Sequence, residues 1–247
     1  MRLKTVILVA VLIAGLLPAG VGAGAVACAT GQFEVSGTVT DAMTGLPLDR
    51  VTSIGIVYAA DGSGYDGEGT DPATSAFATC LPIGEWKIAF DADYYFTEWY
   101  DDAPSMEAAA VISVVDGPVT GIDAALQPWP SISGRITDVR TGEPLPLTSV
   151  GIYQADTGDG IDGEGVDANG EFMYYFSPDY FTFPVRVKVN FAADYHWAEW
   201  YDNSKRFSRA TVITIEADSG SITGIDASVR RCSWTVPDFC FQRKFWN

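Results

Sequence analysis

The chain has 247 residues and a formal net charge of −17, from 15 lysines and arginines against 32 aspartates and glutamates. This charge argues against a nucleic-acid binder, because contacts to a phosphate backbone need clustered basic side chains. A single histidine excludes metal sites built from two or more histidines, and a hydrophobic content of 47% argues against a disordered chain.

The amino terminus has the pattern of a secretory signal peptide. Arg2 and Lys4 precede an apolar run from Val6 to Leu17, and small residues follow as far as Ala27. A bilayer-spanning helix needs roughly 20 apolar residues, so this run of about a dozen predicts a cleaved signal peptide at 1–27 and no transmembrane span. We therefore expect a secreted or cell-surface protein. Cleavage could follow Ala25 or Ala27. The second position would leave Cys28 first, and a lipid anchor on that cysteine is the weaker alternative.

Four cysteines in an exported chain predict two disulfides. Three pairings are open, and we favour Cys28 with Cys80 and Cys232 with Cys240. The first bond would tie a leading segment to the domain that follows, and the second would close a short loop near the carboxyl end. Lipidation of Cys28 would leave Cys80 unpaired, so the lipid anchor and the first disulfide exclude each other.

An internal repeat organises most of the chain. The motif that begins at Val35 returns 97 residues later at Ile132, and Asp-Gly-Glu-Gly, Glu-Trp-Tyr-Asp and Thr-Gly-Ile-Asp-Ala then recur in the same order. Between the two copies, Gln127-Pro128-Trp129-Pro130 predicts a short stiff linker. The predicted parts are the signal peptide (1–27), a first repeat (32–127), a second repeat (131–229) and a basic aromatic tail (230–247).

The hydrophobic pattern of each repeat is typical of strands and not of helices. Short alternating or β-branched runs are separated by Gly, Pro and Asp turns. About seven such strands per 100 residues predict an all-β protein of two tandem antiparallel β-sandwich domains. In the first repeat the runs are Phe33 to Val39, Ile54 to Tyr58, Trp86 to Phe90, Val111 to Val115 and Ile122 to Leu126.

These motifs resemble a known family. The Thr-Gly-x-Pro turn, the segment Leu81-Pro82-x-Gly84-x-Trp86, the Glu-Trp-Tyr-Asp block and Gly-Ile-Asp-Ala are similar to tandem carboxypeptidase regulatory-like domains of exported bacterial proteins. The resemblance spans 32–229 and implies a transthyretin-like sandwich, grouped with carbohydrate-binding-like folds. It implies a non-catalytic appendage or surface module, of a kind that also occurs on amylases and peptidases. The second repeat departs from the pattern at Ser177 to Pro184, so we expect its central hairpin to differ.

An acidic, glycine-rich segment stands at the same place in both repeats. Calcium prefers six to eight oxygen ligands, and a flexible loop can bring carboxylates together around the ion. A calcium site is therefore one hypothesis, and a solvated charged loop is the simpler alternative; no other cofactor is indicated. The candidate ligands are Asp61, Asp66, Glu68 and Asp71 in the first repeat and Asp156, Asp159, Asp162, Glu164 and Asp167 in the second.

The Glu-Trp-Tyr-Asp blocks are the candidate ligand site. Sugars stack on exposed aromatic rings while neighbouring carboxylates accept hydrogen bonds from their hydroxyls, so a polysaccharide or cell-wall glycan is the predicted partner. The alternative is that the rings pack against the core. The candidate carbohydrate contacts are Glu98, Trp99, Tyr100 and Asp101 with Glu199, Trp200, Tyr201 and Asp202.

Nothing in the sequence indicates catalysis. His196 aligns with Tyr95 of the first repeat, which favours an aromatic packing position over a general base, and no Gly-x-Ser-x-Gly motif accompanies it. We predict a non-catalytic secreted or cell-surface interaction module that binds carbohydrate. The alternatives are a structural or adhesive spacer repeat, stabilised by calcium, and an accessory fragment of an amylase-like or carboxypeptidase-like enzyme architecture.

The charge is distributed as a gradient along the chain. The first repeat has 16 acidic residues against 2 basic ones, the second has 15 against 7, and the tail has 4 basic residues against Asp238. The tail also contains Trp234, Phe239, Phe241 and Trp246. It could contact an anionic wall polymer or lipid headgroups. The alternative is a disulfide-closed segment that packs back on the second repeat.

Overall fold

A computed structural model describes residues 26–48 and 52–232. The predicted signal peptide, apart from its last two residues, and the tail beyond Cys232 lie outside the described residues. Within them, strands and turns account for nearly all regular structure, with one 3-10 turn at Phe207–Arg209. The all-β prediction is confirmed. In this part of the chain no helix is long and apolar enough to cross a membrane.

Two sheets face each other in the first repeat. One has β1 at its centre, antiparallel to β4 and parallel to the short β8 and β9. The other has the order β3-β2-β5-β6, with β7 also on β5. The strands are β1 (Gln32–Asp41), β2 (Thr52–Tyr58), β3 (Gly64–Gly69), β4 (Ala76–Pro82), β5 (Gly84–Ala92), β6 (Glu98–Trp99), β7 (Ile112–Val114), β8 (Val119–Thr120) and β9 (Ala124–Leu126).

The second repeat uses the same order of strands. One sheet runs β13-β10-β17 with β18 also on β10, and the other runs β12-β11-β14-β15 with β16 on β14. The strands are β10 (Ser131–Asp138), β11 (Thr148–Gln154), β12 (Gly160–Gly165), β13 (Glu171–Tyr175), β14 (Val185–Ala193), β15 (Glu199–Trp200), β16 (Ile213–Ile215), β17 (Ser221–Ile222) and β18 (Ala227–Val229).

Each repeat encloses its own hydrophobic core. Every second residue of the long strands points between the sheets, as the alternating sequence predicts. Burying one such side chain contributes about 1.5–3 kcal/mol, so a dozen of them dominate the stability of a sandwich of this size. Fully buried examples are Val35, Ile54, Ile88 and Phe90 in the first core and Ile132, Val150, Val189 and Phe191 in the second.

The two central hairpins differ, as the sequence predicts. In the first repeat β4 ends at Pro82 and β5 begins at Gly84, so a single residue separates them. In the second, β13 ends at Tyr175 and β14 begins at Val185. This longer loop places the fully buried Phe176 in the second core, where its ring lies 5.2 Å from that of Phe181.

The acidic segments are strands, which corrects the prediction that they are loops. β3 pairs antiparallel with β2, and β12 pairs antiparallel with β11. Asp66 and Glu68 therefore lie on an edge strand, as do Asp162 and Glu164. Glycines alternate with the acidic residues in these strands and remove the usual apolar alternation. Charged residues on an edge strand also oppose pairing with other chains.

Gly37 lies where β1 is crossed closely by the chain that leads into β9. A Cβ on Gly37 would overlap the carbonyl group of Ile122. The Ile122 amide donates to the Ser36 carbonyl at 3.1 Å. Asp123 then accepts at Oδ1 from the Thr38 amide at 2.8 Å and from its hydroxyl at 2.9 Å. The Gly-Ile-Asp motif thus fastens the last strand to the first.

The second repeat has the same fastening. A Cβ on Gly134 would overlap the carbonyl group of Ile225. Asp226 accepts at Oδ1 from the Arg135 amide at 2.8 Å. The two motifs therefore recur together because each requires the other: the missing side chain at the glycine admits the backbone that the aspartate anchors.

The predicted disulfide between Cys28 and Cys80 is confirmed, with the two Cα atoms 5.4 Å apart. A lipid anchor would need the same sulfur of Cys28, so the structure does not support that alternative. Cys232 is also disulfide-bonded. Its predicted partner, Cys240, lies outside the described residues.

Candidate functional site

The candidate calcium ligands of the first repeat mostly organise their own turns. Asp61 accepts at Oδ1 from the Ser63 amide at 2.9 Å and from its hydroxyl at 2.7 Å. Asp71 accepts at Oδ1 from the Ala73 amide at 2.9 Å. Hydrogen bonds from Ser63 and from Ala73 lower the pKa values of Asp61 and Asp71. These carboxylates therefore act as turn acceptors, a common role of Asp in loops.

On the edge strand, the remaining two candidates have separate partners. Asp66 accepts at Oδ1 from the Gly67 amide at 2.9 Å. Glu68 accepts from the Thr79 hydroxyl at 3.4 Å, across to the opposite sheet. Asp66 and Glu68 therefore have different hydrogen-bond partners along β3 and do not point at one centre.

The candidates of the second repeat are similarly dispersed. Asp156 forms an exposed ion pair with Arg186 at 2.7 Å, and the Tyr174 hydroxyl donates to Asp162 Oδ2 at 3.2 Å. The remaining three lie in loops or on the edge strand: Asp159, Glu164 and Asp167. Across residues 26–48 and 52–232, no three His, Cys, Asp or Glu side chains form a group that could hold a metal ion. Calcium binding stays a prediction.

The Glu-Trp-Tyr-Asp block of the first repeat is a tight turn fastened to β5. Trp99 and Ala103 exchange two backbone hydrogen bonds, at 2.8 and 2.7 Å. The Tyr100 amide donates to the Ile88 carbonyl at 2.9 Å, and the Tyr100 carbonyl accepts from the Ala110 amide at 2.6 Å. In the second repeat Trp200 exchanges the same pair of bonds with Ser204. The recurrence of the block is therefore explained by backbone geometry.

The aromatic rings of both blocks are half-buried. Tyr100 and Tyr201 pack against the cores of their repeats. Trp200 contacts the rings of Tyr153 and Phe207 at centroid distances of 4.9 and 5.2 Å. Asp101 and Asp202 are exposed beside these rings. The sequence alternative of ring packing has direct structural support, and sugar binding at these blocks stays a prediction.

Glu98 and Glu199 are half-buried at equivalent positions of the blocks. Burial, followed by the charges of Asp102 and Asp101, raises the pKa of Glu98. Burial also raises the pKa of Glu199, where the neighbouring Lys205 opposes the shift. Both folded repeats therefore favour the protonated carboxyl more strongly than the unfolded chain does.

We expect Glu98→Gln to stabilise the first repeat at neutral pH. The pKa of Glu98 is higher in the folded repeat than in the unfolded chain. The protonated carboxyl therefore favours folding at pH values below the unfolded pKa, and this contribution is lost as the pH rises through the folded pKa. Removing the charge should raise the melting temperature by about 2 °C at pH 7 and leave it unchanged at pH 4. Thermal melts followed by circular dichroism measure both values. Glu85→Gln, an exposed change of the same charge, should show no such difference.

Two buried lysines were missed by the sequence analysis. Lys87 donates from Nζ to the Met106 carbonyl at 2.6 Å, and Lys188 donates to the Phe207 carbonyl at 2.8 Å. The ammonium of Lys188 also lies 4.1 Å from the centre of the Phe207 ring. Each lysine holds the loop that follows a Glu-Trp-Tyr-Asp block. The available signal was a lysine at the same place in two strands, with apolar residues directly on both sides of it.

His196 forms a buried pair with Asp138. The Nε2 atom lies 3.0 Å from Asp138 Oδ2, both side chains are 8% exposed, and Nδ1 lies 2.7 Å from the Asp194 carbonyl oxygen. In the first repeat the Tyr95 hydroxyl donates to Asp41 Oδ2 at 2.7 Å in the same way. The histidine therefore fastens the turn that begins at the aspartate.

We expect the Asp138 carboxylate to stabilise the second repeat above pH 4 and to lose this effect as the pH falls towards 2. Its pKa is lowered to about 2, first by the hydrogen bond with His196 and then by the backbone amides of Thr141 and Arg140. A lowered carboxyl pKa adds stability above the unfolded pKa that is lost through the folded one. Urea unfolding between pH 2 and 7 should therefore give a flatter profile for Asp138→Asn.

Two further variants complete that experiment. His196→Tyr recreates the pair of the first repeat and should keep the second repeat folded at pH 7. The exposed Asp218→Asn should keep the wild-type profile. A wild-type profile for Asp138→Asn as well would contradict the role assigned to this pair.

The two repeats meet at a hydrogen-bonded connection. The Phe96 amide donates to the Gln127 carbonyl at 2.9 Å, and the Trp129 amide donates to the Tyr94 carbonyl at 2.8 Å. On the other side, the Phe176 amide donates to the Pro130 carbonyl at 2.9 Å. The linker is thus bonded to both repeats.

Aromatic rings also cross this connection. The ring of Tyr94 lies 4.3 Å from that of Tyr175 in the second repeat and 5.8 Å from that of Trp129. The rings of Phe96 and Phe183 are 6.3 Å apart. Phe183 belongs to the loop that only the second repeat has, so the departure from the repeat pattern supplies part of this contact.

No family model and no curated protein matches the chain. Among solved structures it is similar to the shaft pilin SpaA from Lactobacillus rhamnosus GG, with 12% identity, a TM-score of 0.43, and coverage of 82% of this chain and 98% of that one. A Bacillus anthracis TIE protein shares 13% identity with a TM-score of 0.35, over 81% of this chain and 34% of that one. A streptococcal ancillary pilin shares 13% identity with a TM-score of 0.35, over 82% of this chain and 63% of that one.

This chain therefore spans about a third of the TIE protein and less than two thirds of the ancillary pilin. At such identities and TM-scores, these similarities support no assignment of function. The likeness to carboxypeptidase regulatory-like domains stays a resemblance, based on the motifs alone.

Proposed function

We propose that the protein is a non-catalytic extracellular spacer that holds two β-sandwich repeats in a fixed arrangement, as structural or adhesive surface modules do. The observation that carries this proposal is the connection between the repeats. A flexible tether would leave its backbone groups to water, whereas residues 127–130 bond to both repeats and are flanked by ring contacts.

The ring contacts add to the backbone hydrogen bonds of the connection. Aromatic pairs contribute about 0.5–1.5 kcal/mol each beyond the area that they bury. The side-chain nitrogens of Gln127 and Trp129 are shielded from solvent, Pro130 is buried and the other three linker residues are half-buried, so the linker packs against the repeats. Two prolines, Pro128 and Pro130, restrict the backbone further.

The roles of the recurring residues support the same proposal. Gly37 with Asp123 closes the first sandwich, and the Glu-Trp-Tyr-Asp block fastens a turn to its central strand. The single imidazole of the chain has both ring nitrogens at hydrogen-bond distance from structural acceptors, which favours a non-catalytic role. The Cys28–Cys80 disulfide, with the predicted signal peptide, favours an oxidising extracellular location.

Distance measurements between spin labels test the spacer proposal. Ser113 and Thr214 are exposed at equivalent places, in the middle of β7 and β16, so Ser113→Cys with Thr214→Cys places one label on each repeat. We expect a single narrow distance distribution in solution. Tyr94→Ala with Phe96→Ala should broaden it, whereas Tyr180→Ala, at a ring that is 86% exposed, should not. A broad distribution in the otherwise unchanged protein would reject the proposal.

Carbohydrate binding is the second candidate function. Trp99 and Trp200 retain partial exposure, and each block ends in an exposed aspartate. A glycan array, followed by polysaccharide pull-down with and without calcium, tests this candidate and the calcium hypothesis together. Equal retention of the wild type and of Trp99→Ala with Trp200→Ala would remove these blocks as a sugar site.

A further inference from the structure

The two repeats differ on the outer face of the five-stranded sheet. In the first repeat one row of paired residues crosses this face from the edge strand β3 to the Glu-Trp-Tyr-Asp block. Residues paired across strands have their side chains on the same face, and alternate residues of β2 on either side of this row fill the core, so the row faces outward. We call this row the platform: Gly67, Gly55, Ala89 and Trp99.

A tyrosine ring covers the equivalent row of the second repeat, which consists of Gly163, Gly151, Asn190 and Trp200. A Cβ on Gly151 would lie 2.7 Å from the Cε2 atom of Tyr153. The ring centres of Tyr153 and Trp200 are 4.9 Å apart. Tyr153 therefore occupies the space above the glycine and packs against the tryptophan of the block.

The same space is open on the platform. Val57 stands where the second repeat has Tyr153, two residues after the glycine of β2. Among the described residues, a Cβ on Gly55 would meet only Ala89 within 4 Å. Trp99 remains half-buried at the end of the row. The first repeat thus leaves open, beside a tryptophan, the space that a six-membered ring fills in the second.

Polar groups border one side of the platform. Ser53 and Asp91 pair with each other in the next row of the same face, and both are exposed. Asp91 accepts at Oδ1 from the Thr97 hydroxyl at 2.7 Å. The second repeat has Ala192 in the place of Asp91. An apolar floor with a carboxylate and hydroxyls beside it suits a sugar, whose ring faces are apolar and whose edge carries hydroxyl groups.

We propose that the platform binds a neutral sugar ring of a polysaccharide, and that Tyr153 closes the equivalent place in the second repeat. This inference rests on the carbohydrate candidate above and narrows it to the first repeat. The sugar ring lies over Gly55 against Trp99, and Asp91 accepts hydrogen bonds from its hydroxyls. A neutral sugar is favoured because the first repeat has 16 acidic residues against 2 basic ones, which repel an anionic polymer.

Native affinity electrophoresis of the full chain tests the proposal, in gels that contain soluble starch, arabinoxylan or mixed-linkage β-glucan. We expect retardation of the wild type in at least one of them, relative to a gel without polysaccharide. Val57→Tyr gives the first repeat the ring of the second and should weaken binding about tenfold, equivalent to about 1.4 kcal/mol. The control Ala125→Tyr adds the same ring at an exposed position of β9, on the other sheet, and should bind like the wild type.

A second variant tests the polar side of the platform without adding a ring. Asp91→Ala copies the second repeat and should also weaken binding about tenfold, because hydrogen bonds to a charged group are stronger than those between neutral groups. Asp91 is exposed, so the repeat should stay folded. Thermal melts followed by circular dichroism check the folding of each variant.

Three outcomes overturn the proposal. Retardation of folded Val57→Tyr and Asp91→Ala equal to that of the wild type would reject the platform while leaving sugar binding elsewhere on the chain. Retardation of the wild type in no gel would reject the sugar and the carbohydrate candidate together, whereas the spacer proposal depends on the label distances alone. A shift of the Gly55 amide resonance with N-acetyltyrosinamide, without retardation in any gel, would identify an aromatic side chain of a protein partner as the occupant.

Discussion

Gly37→Ala is expected to unfold the first repeat, by removing more than about 4 kcal/mol from its free energy of unfolding. The added Cβ would overlap the Ile122 carbonyl. That carbonyl cannot withdraw, because the Ile122 amide is bonded to Ser36 and the next residue, Asp123, is bonded to Thr38. Domains of this size have a free energy of unfolding of only about 5–15 kcal/mol, so the loss is close to the total stability of the repeat. Urea unfolding followed by circular dichroism measures it.

The glycine control is Gly117→Ala. A Cβ at Gly117 meets no atom within 4 Å, so the repeat should remain folded with nearly unchanged stability. Gly134→Ala should have the large effect on the second repeat, because its Cβ would overlap the Ile225 carbonyl. If Gly37→Ala and Gly117→Ala unfolded at the same urea concentration, the close approach at Gly37 would have no energetic importance.

The long strands could be predicted from the sequence because alternation reports burial directly. Phe33 to Val39 lies within β1, and Trp86 to Phe90 lies within β5, with the expected residues in the core. The edge strand β3 was predicted as a loop, since glycines stand between its acidic residues where a typical strand would have apolar ones. Backbone pairing with β2 decides its conformation, and pairing of this kind leaves no local signal.

The site residues show a different limit. The sequence identified Asp123 and Gly37 as parts of recurring motifs, but the hydrogen bond from Thr38 to Asp123 joins residues that are 85 positions apart. The candidate calcium ligands were grouped because they are close in the chain. Strand register places Asp66 and Glu68 along the edge strand β3, whereas Asp61 and Asp71 accept hydrogen bonds within turns. Convergence in space depends on register, which residue types alone do not specify.

Replacing Cys28 and Cys80 together by serine is expected to lower the free energy of unfolding of the first repeat by about 4 kcal/mol. The bond closes a loop of 52 residues. In the chain-entropy account, a loop of this length removes about 4 kcal/mol of unfolded-state freedom at 25 °C. The folded state loses little, because β1 stays paired with β4, the strand that contains Cys80, from Gln32–Pro82 to Thr38–Ala76.

The double substitution avoids leaving a free thiol, and urea unfolding under oxidising conditions measures the change. The matched control is Cys232→Ser with Cys240→Ser, the second pair predicted from the sequence, which should leave the transition of the first repeat unchanged because Cys232 lies at the far end of the second. A loss below about 1 kcal/mol would mean that the constraint restricts the folded and unfolded chains almost equally.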